Sequence, residues 1–191
     1  IDLIPHFTPT TAEQSVHIFA SKAFGNQKSK DKFESLIEHY LGNPKSPMRN
    51  DHTYLLFIKD IIASPCIDDV EKERWTFKYK QTNKNLPGNT AIDFKWKDEK
   101  GMGHQLNEYK NQKVILYFYD PDCENCHKIT AWLNKQTIPE DIQLLRIHAD
   151  DKISDLYSLR AMPTIYLLDK NNKVILKDCS PELLISEINK K

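Results

Sequence analysis

The spacing of hydrophobic and polar positions changes part-way along the chain. In the first 85 residues, apolar side chains recur at intervals of three and four positions, which predicts amphipathic helices. Four such stretches are separated by glycine, proline or polar connectors, and they cover residues 11–24, 29–41, 51–64 and 68–85. We therefore predict an all-helical amino-terminal module over residues 1–85.

From residue 86 the pattern becomes that of an α/β domain. Pro87 and Gly88 mark a turn, after which short β-branched and aromatic runs alternate with helical stretches. The runs KVILYFYD and IQLLRIHAD predict strands buried on both faces, and MPTIYLLDKNNKVILKD predicts a hairpin. With a terminal helix beginning at Pro181, the order is β-α-β-α-β-β-α. The expected fold over residues 86–191 is a central mixed sheet flanked by helices.

The amino-acid composition argues against several classes of protein function. The 191 residues include 27 basic and 27 acidic side chains, so the formal net charge is zero and gives no electrostatic reason to expect nucleic acid as a partner. No apolar run approaches the ~20 residues of a membrane span. Because the chain begins with Ile1, we expect a processed or trimmed chain whose targeting signal has been removed. Four cysteines are too few for a disulfide scaffold: Cys66, Cys123, Cys126 and Cys179.

Two of these cysteines form the motif C-x-x-C-H in the stretch YDPDCENCHK. This spelling fits a redox dithiol, a c-type haem attachment site or half of a zinc site. Cys123 follows a predicted buried strand and begins a predicted helix, with Cys126 one turn further on. At that offset the two sulfurs share a helix face, and the helix amino terminus favours thiolate. The position therefore favours a redox dithiol.

A haem and a zinc ion remain alternatives for this motif. A covalently attached haem usually needs a distal ligand, often methionine, and only Met48, Met102 and Met162 are available. A zinc site needs four ligands, and the sequence has no second C-x-x-C. Two cysteines without chemistry are a third alternative. We predict no metal and no cofactor.

The segments VILYFYDPDCENC, LLRIHAD, LYSLRAMPT and KVILKD occur in an order that resembles the thioredoxin fold family. The resemblance covers roughly residues 86–191 and implies a thioredoxin-like domain. It also implies that the Met162–Pro163 bond is cis and lies against the cysteine pair. An extended substrate chain would then bind at Met162, Pro163 and Thr164, chiefly through backbone pairing with Met162.

The segment that precedes the cysteine motif, PGNTAIDFKWKDEKGMGHQLNEYKNQKVILYF, indicates which branch of the family the chain resembles. It is similar to the opening segment of membrane-anchored or periplasmic thioredoxins and of peroxiredoxins. Peroxiredoxins carry a Thr-x-x-Cys setting that DPDCENC lacks, which favours the dithiol branch. Residues 1–85 resemble an uncharacterised helical domain that precedes thioredoxin-like domains in envelope proteins of Gram-negative anaerobes. We therefore expect an exported protein of the periplasm or cell envelope, for which membrane tethering through a removed amino-terminal segment is an option.

The chain departs from cytoplasmic thioredoxins at a buried Asp–Lys pair, whose positions are Tyr117 and Leu144 here. The usual proton acceptor for the second cysteine is thereby absent, and Glu124, His127 or water are the candidates to replace it. Glu124 and Asn125, between the cysteines, and the adjacent His127 are also expected to tune the motif. A carboxylate beside Cys123 disfavours thiolate, which points toward a reductant.

The sequence thus predicts a thiol–disulfide oxidoreductase for envelope protein substrates. Cys123 attacks a disulfide and Cys126 resolves the mixed disulfide, with electrons from an unidentified redox partner. A thiol peroxidase of the peroxiredoxin kind is one alternative, for which part of the peroxide consumption would survive Cys126→Ser. A binding module without catalysis is the other, for which partner binding would survive Cys123→Ser.

Overall fold

The computed structural model describes residues 9–24, 26–44 and 46–190, and the chain divides into two compact units between Asn83 and Lys84. The boundary predicted from sequence lies slightly later. Asn85 belongs to the second unit because its amide donates to the Leu156 carbonyl at 3.1 Å and its oxygen accepts the Ile92 N–H at 2.8 Å. None of the described helices is long and apolar enough to cross a membrane.

The predicted helical character of the first unit is confirmed. Its helices are α1 (Pro9–Ala23), α2 (Gln27–Ile37), α3 (Asp51–Ala63) and α4 (Asp69–Asn83), and a π turn (Glu38–Gly42) continues α2. The side chain of Asn26 accepts the Ser29 N–H at the start of α2, and the side chain of Asn50 accepts the Thr53 N–H at the start of α3. Both asparagines satisfy backbone donors that a helix cannot bond internally.

An ion-pair cluster lies beside the apolar core of this unit. Lys30 is completely buried, and its ammonium lies 2.8 Å from Glu71 Oε2 and 3.4 Å from Glu34 Oε1. Burial alone would lower the pKa of Lys30, but the hydrogen bond to Glu71 and the charge of Glu34 raise it overall. Burial raises the pKa of Glu34. The ammonium lies within 4.0 Å of a carboxylate oxygen of each of Asp31, Glu34 and Glu71, so it is a charge partner for all three.

Replacing Lys30 with methionine should destabilise the first unit by roughly 3 kcal/mol, because the buried Glu34 carboxylate would lose its charge partner. Urea unfolding followed by circular dichroism measures the change. Lys32→Met is the matched control, since Lys32 is exposed on the same helix and methionine has a similar helix propensity. Equal stability of the two variants would contradict the role assigned to Lys30.

The second unit is the predicted mixed sheet with helices. Its strands are β1 (Lys95–Lys97), β2 (Gly103–Gln105), β3 (Lys113–Tyr119), β4 (Ile142–His148), β5 (Thr164–Leu168) and β6 (Val174–Leu176), and its helices are α5 (Glu124–Leu133), α6 (Asp151–Tyr157) and α7 (Pro181–Ile188). The four-stranded sheet has the order β4-β3-β5-β6, in which β3 is parallel to β4 and antiparallel to β5. Strands β1 and β2 form a separate antiparallel hairpin.

The two predicted buried strands differ. In β3 the five residues from Val114 to Phe118 are all buried, as predicted, because the strand lies inside the sheet with a core on each face. The prediction for β4 was wrong. Three of its seven residues are buried, three are exposed and one is half-buried, and β4 lies at the edge of the sheet. Strand β3 is therefore the rigid element that ends at the cysteine motif.

Candidate functional site

The cysteine motif lies where β3 passes into α5. Strand β3 ends at Tyr119, and a tight turn follows in which Asp120 Oδ1 accepts the Asp122 N–H at 2.8 Å. The Asp120 carbonyl accepts the Cys123 N–H at 3.2 Å, and α5 begins at Glu124. The predicted strand-to-helix position of the cysteines is thus the observed one.

Cys123 is the N-cap residue of α5. Its Sγ accepts the Cys126 N–H at 3.2 Å, in the place where an oxygen of Ser, Thr or Asp usually lies. The side chain is half-buried, so the sulfur can meet another molecule. A backbone N–H aimed at sulfur from a helix amino terminus suits a thiolate better than a thiol. This is the contact that the chemistry of a nucleophilic cysteine requires.

Cys126 has a different environment. Only 1% of the residue is exposed, and burial raises the pKa of its thiol to about 11. A backbone hydrogen bond from Asp120 opposes this shift, and the adjacent Cys123 side chain adds to it. Cys126 therefore holds its proton at neutral pH. The two thiols of the motif are chemically unequal, one accessible at a helix end and the other enclosed.

The predicted substrate-binding segment adjoins Cys123. The Met162–Pro163 peptide bond is cis, and Cys123 Sγ donates to the Met162 carbonyl at 3.6 Å. Met162 and Pro163 are half-buried. Thr164 is buried, and its hydroxyl donates to the Ala161 carbonyl at 2.7 Å, which holds the turn that leads into β5. A contribution of Thr164 to substrate binding is therefore expected through its backbone only.

The residues predicted to tune the motif lie on the solvent side of it. Glu124, Asn125 and His127 are all exposed, and the Glu124 carboxylate forms an ion pair with Lys128 at 2.7 Å. Glu124 and His127 were also candidates for the missing proton acceptor. Their exposure contrasts with the enclosed thiol of Cys126, so neither lies beneath that thiol as a buried acceptor would. Their tuning effect stays a prediction.

Two further residues, one in β3 and one in α5, form hydrogen bonds beside the motif on its buried side. The hydroxyl of the fully buried Tyr117 donates to the Cys126 carbonyl at 2.8 Å and lies 2.9 Å from the Thr130 hydroxyl. Sequence reasoning treated Tyr117 only as the position that lacks an acid, and it passed over Thr130. The one available signal was the spacing of Thr130, which is one helical turn after Cys126 and so on the same face.

Comparisons with known proteins match both units. A family model described as a domain of unknown function (DUF5106) matches residues 1–85, and the AhpC/TSA family model matches residues 87–175. A thioredoxin-like protein from Bacteroides caccae has the same fold over 98% of this chain and 79% of its own, with a TM-score of 0.85 and 24% identity. The chain thus resembles a DUF5106 domain followed by an AhpC/TSA domain, and each model matches a little under half of its residues.

Further relatives match the thioredoxin-like domain. The thiol-disulfide oxidoreductase ResA of Geobacillus thermodenitrificans is 24% identical, and the match covers 46% of this chain and 66% of that protein, slightly less than two thirds. The carboxy-terminal domain of an uncharacterized protein from Bacteroides fragilis is 23% identical over 56% of this chain and 99% of its own, with a TM-score of 0.52.

We expect burial to make the Cys126 thiol react slowly near neutral pH. In reduced Cys123→Ser protein, we expect alkylation of Cys126 by iodoacetamide to be slow at pH 8 and to accelerate as the pH rises further, because only the thiolate reacts and burial is the largest cause that raises the pKa of this thiol. Site-resolved mass spectrometry measures the rate. Cys123 in the Cys126→Ser variant, whose side chain is half-buried, is the comparison site. A Cys126 rate that levels off below pH 9 would contradict the assignment.

Proposed function

We propose that this protein is a thiol–disulfide oxidoreductase that acts on protein substrates through Cys123 and Cys126. One observation carries the proposal. The Cys123 sulfur caps α5 with the Cys126 N–H and lies beside the Met162 carbonyl, while Cys126 is buried one turn below. An accessible sulfur, an enclosed second thiol and a neighbouring backbone acceptor are the parts that disulfide exchange needs.

In the first step the Cys123 thiolate attacks one sulfur of a substrate disulfide. The substrate S–S bond breaks, its second sulfur leaves as a thiolate and takes a proton, and a mixed disulfide forms at Cys123. The backbone of Met162 pairs with the extended substrate chain during this step. The 3.6 Å contact between Cys123 Sγ and the Met162 carbonyl supports this assignment, because it brings the binding segment to the reacting atom.

In the second step Cys126 loses its proton and attacks Cys123 Sγ. The mixed disulfide breaks, the remaining substrate sulfur leaves as a thiol, and the Cys123–Cys126 disulfide forms. Two electrons and two protons have passed from the protein dithiol to the substrate disulfide. Reduction of the new disulfide by an external redox partner completes the cycle without a cofactor.

The direction of electron transfer and the cellular location of the protein are also part of the proposal. The exposed Glu124 carboxylate next to Cys123 is the feature on which the proposed action as a reductant rests. The resemblance of the lead-in segment to membrane-anchored and periplasmic thioredoxins supports a site of action in the periplasm or cell envelope. The relationship to an oxidoreductase named ResA supports the reaction class.

A thiol peroxidase is the second candidate, favoured by the match to the AhpC/TSA family model. In a peroxidase the first cysteine reacts with peroxide directly. The position of the peroxiredoxin threonine is Asp120 here, whose carboxylate accepts the Asp122 N–H. A carboxylate that accepts a hydrogen bond thus replaces the threonine hydroxyl, and the Thr-x-x-Cys setting is absent.

The Cys126→Ser variant should trap the mixed disulfide, because the first step is intact and the resolving thiol is gone. Incubation of the reduced variant with insulin, used as a disulfide probe, should give a covalent adduct on non-reducing gels that dithiothreitol removes. The unaltered chain should reduce insulin without accumulating the adduct.

The matched control is Cys123→Ser, which keeps Cys126 but should form no adduct and reduce no insulin. Absence of an adduct from Cys126→Ser would contradict the oxidoreductase proposal and favour a binding module. Consumption of hydrogen peroxide by the unaltered chain, retained in part by Cys126→Ser, would favour the peroxidase instead.

A further inference from the structure

A hydrogen-bonded pair of hydroxyl groups joins β3 to the first turn of α5. Tyr117 is completely buried at the centre of β3, and its hydroxyl lies 2.8 Å from the Cys126 carbonyl oxygen and 2.9 Å from Thr130 Oγ1. Tyr117 is thus placed directly under the resolving cysteine by the strand that also leads into the motif.

The hydrogen positions follow from the partners. A carbonyl oxygen can only accept, so the single phenol hydrogen of Tyr117 is donated to the Cys126 carbonyl. The Thr130 hydroxyl must then donate to the phenol oxygen. The result is a directed chain from Thr130 through Tyr117 to Cys126, in which the phenol is both donor and acceptor and stays neutral, since burial raises its pKa.

This series of hydrogen bonds replaces a contact that is common within helices. A threonine inside a helix often donates its hydroxyl to the carbonyl four residues earlier, which here is the carbonyl of Cys126. Instead Tyr117, from a different element, occupies that carbonyl and redirects the Thr130 hydroxyl to itself. The backbone of Cys126 is therefore fixed against the sheet as well as within its own helix.

The second step of disulfide exchange is sensitive to this fixation. The Cys126 sulfur must come within ~2.05 Å of Cys123 Sγ with a narrow range of dihedral angles. Its attack is intramolecular, so its rate depends on how well the two sulfurs are held in position. The first step uses the Cys123 sulfur, which lies 3.6 Å from the Met162 carbonyl and accepts the Cys126 N–H at 3.2 Å, so the two steps share the Cys126 backbone but only the second uses the Cys126 sulfur.

We propose that Tyr117 and Thr130 are positioning residues for the resolving step, holding the Cys126 backbone so that its sulfur can attack Cys123. This inference rests on the proposed oxidoreductase function and extends it. It assigns to Tyr117 a part in the reaction that is steric and hydrogen-bonding rather than that of a charged proton acceptor. The predicted effect is larger on the second of the two thiol steps, because only in that step does the Cys126 sulfur itself react.

The two steps can be followed in one experiment with 5,5′-dithiobis(2-nitrobenzoate) as the disulfide probe. Attack by Cys123 releases one nitrothiolate, and attack by Cys126 on the mixed disulfide releases the second, so stopped-flow absorbance should show two phases. The full chain carries Cys66→Ala and Cys179→Ala, which leaves Cys123 and Cys126 as the reacting thiols.

Tyr117→Phe should slow the second phase roughly tenfold, about the effect of one net hydrogen bond, and slow the first phase by a smaller factor. Thr130→Val should slow the second phase in the same direction. Thr130→Ser, which keeps the hydroxyl, should restore it. The threonine variants keep the test valid if Tyr117→Phe does not fold.

Tyr119→Phe is the matched control. Tyr119 lies on the same face of β3 and stacks on Tyr117, but its hydroxyl donates to Glu99 at 3.2 Å rather than to α5. An unchanged second phase in Tyr117→Phe and Thr130→Val, or equal slowing by Tyr119→Phe, would overturn the positioning role alone. A parent chain that gives no second phase would overturn the proposed function itself.

Discussion

The hydrogen bond from the Cys126 N–H to the Cys123 sulfur is the contact on which the rest of the site depends. It exists because a strand with five buried central residues ends at Tyr119 and a helix starts at Glu124, so that a cysteine occupies the capping position between them. Free N–H groups at a helix start need an acceptor. Here the acceptor is the sulfur that attacks in the proposed reaction, so in that reaction the same bond both caps the helix and orients the nucleophile.

The inequality of the two thiols follows from that geometry. The capping position is at the surface, where Cys123 is half-buried, whereas one turn further on the helix has entered the core and Cys126 is enclosed. Burial disfavours the charged form, which raises the pKa of the Cys126 thiol to about 11. In the proposed reaction this difference in depth sets the order of attack: Cys123 reacts with the substrate, and Cys126 reacts only with Cys123.

The parts of this arrangement that could be predicted are the local ones. The spacing of Cys123 and Cys126, the apolar run before them and the helical pattern after them lie within a short segment. The burial of β4 could not be predicted, because a strand's place at the edge of a sheet depends on which strands pair with it. The contact of Tyr117 with Thr130 and the buried pairing of Lys30 with Glu71 likewise join separate elements, and no local pattern shows them.

The redox equilibrium of the Cys123–Cys126 pair in glutathione or dithiothreitol buffers, read by mass after thiol trapping, tests the proposed dithiol most directly. We predict a reversible two-electron transition between about −300 and −100 mV, and a position toward the negative end for a reductant. Failure of these two cysteines to form a disulfide with each other at any potential would contradict the proposed chemistry.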